Sequence, residues 1–345
     1  MKKSVKDTLL SVIVLTAIAL VCVILLSVAN EFLKYEATLD AKMAKNLYAV
    51  CPTGEADDSK AIEYFEIVKM DEDIEKVNKA HGSPTNKIVA VYRAIKGVNE
   101  GTYIVQSQAE GYGGTIMMLT SYDENGKIIK TSCIAHDAES HYDKLTGHTD
   151  FATLIGKDGS VNADDVAAIT GATSTRNGIA KAITLSNKMA KELVIKRFSK
   201  VIELTDFEEV TTTVSAKVEE VNEAFYDNDT QTKVLSVFKV KGGANDGCYI
   251  VIAQSKNGQW YPPLQMMTAY TQDGKILKTE CVYQKEGYWD KVNVAWFDNV
   301  SGKKGEIKDG DFAADTGATN TLATIAKAVT ASNKLVELLL TGGTL

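Results

Sequence analysis

Along the chain, the first pattern is a run without charge. Residues 8–30 hold no charged side chain, and Leu9 to Ala29 is almost wholly apolar over 21 residues. That is close to the ~20 residues a helix needs to cross the hydrocarbon core. Lys2, Lys3 and Lys6 precede it. The pattern predicts a cytoplasmic tip and a retained membrane anchor over 1–30. A cleaved signal peptide is the competing reading, because Ser27-Val28-Ala29 resembles a small-x-small cleavage site. The apolar run, however, exceeds the ~7–15 residues of a signal core. Lys34, Lys42 and Lys45 follow the run, so charge bias alone orients it only weakly.

Beyond the anchor the period changes. Residues 31–50 read as an amphipathic helix and Cys51 to Lys60 as a loop with Pro52 and Gly54, making 31–60 a linker. Asp73 to His81 reads as a helix. Ile88 to Ile95, Gly101 to Gln108, Ile116 to Tyr122 and Lys127 to Ala135 are rich in Val, Ile, Tyr and Thr and read as strands. Asn125-Gly126 marks a hairpin turn. The same order then recurs: a helix over Val218 to Phe225, then strands over Val234 to Lys241, Cys248 to Gln254, Leu264 to Tyr270 and Lys275 to Tyr283, with Asp273-Gly274 as the turn. Each unit reads as a helix, a four-strand meander, an irregular loop and a closing helix. The expectation is an α+β fold in two tandem domains, 61–200 and 201–345, each an antiparallel sheet with flanking helices.

Each closing helix opens on the same words. Thr170-Gly171-Ala172-Thr173-Ser174-Thr175 is answered by Thr316-Gly317-Ala318-Thr319-Asn320-Thr321 at an offset of 146, and both continue to Thr-x-Ser-Asn-Lys at 184–188 and 330–334. A hydroxyl-rich turn at a helix mouth suits an anion, because backbone N–H groups and the positive end of the helix dipole face it. The plainer reading is a cap, with Thr173 or Thr175 bonding the first turn.

Thr-Gly-Ala-Thr followed by a helix resembles the attachment motif of the FMN-binding domain family. Members include the G subunit of Rnf electron-transport complexes and the C subunit of the sodium-translocating NADH:quinone reductase. The resemblance implies that Thr173 and Thr319 are esterified by the phosphate of FMN, through a flavin transferase. Around them it places Thr170, Gly171 and Ala172 in one copy, and Thr316, Gly317 and Ala318 in the other. His136-Asp137-Ala138-Glu139-Ser140 is similar to the family's His-x-x-Glu-Thr stretch, putting His136, Glu139 and Ser140 near the flavin. Gly111-Tyr112-Gly113-Gly114 offers a turn of little bulk, with Gly113 and Gly114 as contacts. The sequence departs from the family six residues before each acceptor, where Ala167 and Ala313 replace Asp; Asp165 and Asp311 lie two residues further upstream. Asp165 is expected to complete the anion-facing turn with Thr170 and Thr173. In the second unit Gly258-Gln259-Trp260-Tyr261-Pro262-Pro263 stands for the glycine turn, Gln284 answers His136, and Glu286 persists.

The resemblance thus implies a membrane-anchored flavoprotein electron carrier with one or two covalent FMN per chain. It would be a subunit of an Rnf-like ion-translocating complex, with other membrane subunits as partners and its domains on the extracytoplasmic side. Its redox chemistry would belong to the flavin, with no catalytic side chain. Two alternatives stand beside it: a cell-surface carrier for extracellular acceptors, and a non-covalent FMN-binding or structural partner subunit.

Composition narrows the rest. A net charge of −7, from 38 basic and 45 acidic residues, argues against a nucleic-acid partner. The five cysteines show no Cys-x-x-Cys spacing, so no metal or iron–sulfur site is expected. Cys133 and Cys281 occupy matching places and are expected to be packed strand residues instead of a disulfide.

Overall fold

The computed structural model describes residues 39–54, 58–136, 151–166, 172–258, 262–287, 289–313 and 318–343, together with Leu15, Thr16, Leu20 and Val23. Most of the expected anchor over 8–30 lies outside these residues. The four described there are helical, with Leu15, Leu20 and Val23 exposed. Among the described residues no helix is long and apolar enough to cross a membrane.

The first unit runs α1 (Ala41–Val50), β1 (Phe65–Ile67), α2 (Asp71–His81), β2 (Lys87–Ala94), β3 (Tyr103–Glu110), β4 (Thr115–Tyr122), β5 (Ile128–His136) and α3 (Thr173–Phe198). The second runs β6 (Asp206–Glu209), α4 (Ser215–Phe225), β7 (Lys233–Lys241), β8 (Tyr249–Ser255), β9 (Leu264–Tyr270), β10 (Ile276–Tyr283), α5 (Asp309–Phe312) and α6 (Thr319–Thr341). Both sheets are antiparallel meanders, ordered β1-β2-β3-β4-β5 and β10-β9-β8-β7-β6. The α+β expectation holds, but each sheet has five strands and not four. The additional ones are edges: β1 pairs Phe65 with Ala94, and β6 pairs Asp206 with Lys241.

Strand period 2 sends neighbours to opposite faces, and here both faces are covered. Val105 and Met118 join α2 and α3 through Val77, Ile179 and Ile183. Their neighbours Ile104 and Leu119 join Leu47, Val50 and Cys51 around α1. In the second sheet Val251 and Met266 pack on α6, whereas Ile250, Ile252 and Met267 pack on Val194, Phe198, Val201 and Ile202. The outer cover of the second sheet is therefore the end of α3. At 26 residues and a rise of ~1.5 Å per residue, this helix is about 39 Å long and serves both sheets. Phe198 is fully buried there, 4.7 Å from Phe238 and 5.1 Å from Phe207 between ring centroids.

Ion pairs also cross between the units: Lys191–Asp206 at 2.5 Å, Lys127–Glu209 at 2.5 Å and Lys285–Glu100 at 2.9 Å. Lys127–Glu209 is partly buried, and the other two, more exposed, contribute ~0–1 kcal/mol each. Burying a phenylalanine contributes about 1.5–3 kcal/mol, so the apolar end of α3 dominates the junction. Cys133 and Cys281 pack beside the two cores without a disulfide, as expected.

A helix mouth, a pinned loop and a groove

The loop before the first motif is held from three directions. Thr184 Oγ1 accepts from the Val161 amide at 2.9 Å and donates to its carbonyl at 3.2 Å. Asn187 accepts from the Tyr122 hydroxyl at 2.8 Å and donates to the Gly159 carbonyl at 2.7 Å. Asp165 accepts from the Asn162 amide at 2.8 Å and from Lys157. The same bonds recur in the second unit, from Thr330 to Ile307, from Asn333 to Tyr270 and Gly305, and from Asp311 to Lys308 and Lys303. The Thr-x-Ser-Asn-Lys words are thus clamps. A buried polar group must find partners, and these place the loop just ahead of the helix mouth.

The upstream carboxylates share this structural work. The Asn162 amide and then the Lys157 ammonium hold the Asp165 carboxyl below its usual range. For Asp311 the Lys303 ammonium leads and the Lys308 amide follows. Both carboxylates face cations of their own loops, which corrects the picture of Asp165 as part of an anion-facing turn. Arg176 adds a tie found in the first unit: Nε donates to the Val166 carbonyl at 3.2 Å and a terminal nitrogen meets Asp164 at 3.2 Å. Leu322 stands 146 residues on from Arg176 and is buried in the second core.

The cap reading of the threonines is also corrected. Ala172 is the N-cap of α3, without a side-chain cap bond, and Thr173 is the first helical residue. Ala318 and Thr319 stand in the same relation to α6. Thr173 and Thr319 are exposed, whereas Thr175 and Thr321 are buried. The exposed threonine at each mouth is therefore the expected acceptor, and the buried one is not.

Beside Thr173 lies a groove of about 580 Å³. It is lined on α3 by Ser174, Asn177, Gly178 and Lys181, and opposite by His81, Asn86, Glu110 and Gly111. A second hollow of about 460 Å³ continues along α3 past Lys181, Thr184 and Lys188. Gly178 sets the spacing: a Cβ there would meet the Glu110 carbonyl oxygen at 2.7 Å and the Gly111 Cα at 3.2 Å. A glycine inside a helix costs about 1 kcal/mol against alanine, a readable signal that a backbone passes close by. His81, Asn86 and Lys181 carry no comparable mark, because α2, β2 and α3 are far apart in sequence.

Of the expected site residues, Ala172 and Thr173 stand at the mouth and Gly111 lines the groove. Gly113 and Gly114 form the β3–β4 turn, closed by the Gly111 amide on the Gly114 carbonyl at 2.8 Å. His136 ends β5 opposite Ile116. Thr170, Gly171, Glu139, Ser140, Thr316, Gly317 and Ala167 lie outside the described residues. Ala313, six before Thr319, is half-buried against the second core.

In the second unit the corresponding link is longer and bonded differently. The link from α4 to β7 has seven residues, 226–232, where the link from α2 to β2 has five, 82–86. The longer link reaches β8: the Lys256 amide donates to the Thr230 carbonyl at 2.6 Å, and Thr232 and Ser255 share a hydroxyl bond at 2.9 Å. Thr324 stands in the place of Gly178, with its hydroxyl on the Asn320 carbonyl at 2.9 Å.

A helix mouth with an exposed threonine, near a groove lined by Ser174, Asn177 and Lys181, fits a flavin phosphate and its ring. Comparison with known proteins agrees. Residues 111–186 match the model of the FMN-binding domain. The chain is also 31% identical over 122 residues to the G subunit of the proton-translocating ferredoxin:NAD(+) oxidoreductase complex of Clostridium ljungdahlii, covering 32% of this chain. The match spans 62% of that relative's length. Residues 111–186 are thus similar to the FMN-binding domain, and the chain resembles the G subunit of that complex.

Proposed function

We propose that the protein is an electron carrier holding FMN as a phosphoester on Thr173, and a second FMN on Thr319. The observation that carries this is exposed Thr173 as the first residue of α3, next in the chain to Ser174, which lines a groove with Gly178 and Lys181, inside the segment that matches the FMN-binding domain. When bound, FMN supplies one-electron chemistry. The side chains bind and orient it. Thr173 Oγ carries the phosphorus and the first turn of α3 favours the negative charge through its dipole. Lys181 presents a cation along the groove, and the close Gly178–Glu110 approach sets the groove's shape. Covalent attachment removes the need for affinity, leaving the protein to position the ring and set its potential.

Following the resemblance to the Clostridium ljungdahlii protein, we place the carrier in an Rnf-like membrane complex, anchored by residues 8–30 with its domains outside the cytoplasm. A flavin transferase would load it. Co-expression with such a transferase and whole-protein mass spectrometry tests the linkage; protease added to spheroplasts tests the orientation, since the domains should be digested.

The longer link and Thr324 in place of Gly178 favour a secondary reading of the second unit: a flavin on Thr319 would stand nearer to solvent. Quenching of its fluorescence by iodide should then exceed that of the flavin on Thr173.

A further inference from the structure

One side chain is bonded to the chain on both sides of the first motif's opening words. Arg176, the fourth residue of α3, is only 8% exposed. Its Nε donates to the Val166 carbonyl at 3.2 Å, and Nη2 donates to the Ala163 carbonyl. Its backbone amide donates to the Ala172 carbonyl at 2.9 Å. One residue therefore holds the chain at Val166 and at Ala172, ahead of and behind residues 167–171. A buried guanidinium must find acceptors, and its planar fork reaches two carbonyls at once. A cation near the start of a helix runs against the dipole, and its charged partner Asp164 is exposed. Helix stability therefore does not account for an arginine here.

The second unit holds the same place differently. Phe312 stands 146 residues on from Val166, and its carbonyl accepts from Asn299 Nδ2 at 2.6 Å. Asn299 belongs to the short turn Val294–Val300, ahead of α5, and not to the helix that opens on Thr319. Leu322, in the place of Arg176, gives only its amide, to the Ala318 carbonyl at 2.9 Å. At this carbonyl the first loop is tied to its acceptor helix, and the second loop to the segment before it.

We propose that Arg176 is a positioning residue that makes Thr173 the better flavin acceptor of the two threonines. The proposal rests on the reading that Thr173 is loaded. Attachment forms the Thr173 Oγ–P bond and breaks the P–O bond of a flavin phosphoanhydride donor. The hydroxyl proton leaves with the departing phosphate, and nothing is oxidised or reduced. In such a displacement the hydroxyl must meet phosphorus in line. A chain fixed on both sides of the motif limits where Thr173 can stand. Thr319 meets the transferase without that brace.

The test follows flavin gain at each threonine of the full chain, by peptide mass spectrometry over time beside an active transferase. The parent should load Thr173 first, with gain on Thr319 slower or absent. Arg176→Leu copies Leu322 and should slow Thr173 by about tenfold or more, since a small misplacement of a reacting group costs up to ~10²-fold. Any gain on Thr319 should keep its rate. Arg176→Lys keeps the charge without the planar fork, so it should slow Thr173 as well. Three results overturn the proposal and leave the carrier reading standing: Thr319 loading as fast as Thr173 in the parent, an unchanged rate on Thr173 in the leucine variant, or a lysine variant that loads as the parent does. A parent that gains nothing on Thr173 overturns both. Hydrogen exchange of the unloaded chain reads the brace without any flavin. The Asp165 and Val166 amides, which donate to the Asn162 and Ala163 carbonyls at 3.0 and 3.2 Å, should exchange faster in Arg176→Leu while the sheet amides keep their rates. Unchanged exchange at these two amides would show that Arg176 braces nothing. Should the leucine variant lose protection in the sheet itself, the lysine variant carries the same comparison.

Discussion

The two units share their loop clamps, their helix mouths and their sheet order, yet differ at the groove. In the first, a five-residue link and Gly178 line a groove along α3; in the second, a seven-residue link and Thr324 stand in their places. What they keep in common places a hydroxyl at a helix mouth. What differs decides whether anything can lie beside it. The longer link carries some backbone strain, since Gln231 sits at φ 46, in the left-handed region.

The largest effect should come from the element both units use. Phe198→Ala removes a fully buried ring from the end of α3 and should destabilise the second sheet by about 3–5 kcal/mol. Calorimetry should show the second unit melting early while the first, whose core takes the other part of α3, holds. Simultaneous loss of both would mean the units are a single cooperative body.

Next comes the groove. Gly178→Thr copies the second unit into the first, drives a Cβ into the Glu110 carbonyl and should cost about 1–3 kcal/mol through overpacking. The flavin on Thr173 should become as open to iodide as the one on Thr319. Unchanged quenching would separate the groove from the ring.

A smaller effect is expected from the loop. Asp165→Asn weakens the tie to Lys157 and the Asn162 amide, for about 1 kcal/mol after solvent screening. Because the folded-state pKa of Asp165 is depressed, its stabilisation is present above the ordinary aspartate range and fades as pH falls through the folded value. Parent and variant melts should therefore converge in acid and separate at neutral pH. Asp311→Asn should behave alike, as its partners are alike.

The strands were legible because β-branched runs between glycines leave few other choices, and the observed ends differ from the expected ones by about one or two residues, as such boundaries ordinarily do. The edge strands were not, since Phe65–Ile67 and Asp206–Glu209 are too short and too charged to show a period. The place of Thr173 and Thr319 at the start of their helices was legible from the repeated motif. The clamping work of Thr184, Asn187 and Asp165 was not, because their partners lie across loops whose course no local pattern records. The groove was least legible of all: it depends on the length of one link and on one glycine, read against a strand end far earlier in the chain.

The central claim is that Thr173 carries FMN, and whole-protein mass spectrometry after co-expression with an active flavin transferase tests it most directly. The account predicts a mass gain mapped to Thr173, abolished at that position by Thr173→Ala and retained in Thr175→Ala, whose hydroxyl is buried in α3. A folded protein that gains no mass on Thr173 beside a transferase proven active on another substrate would contradict it.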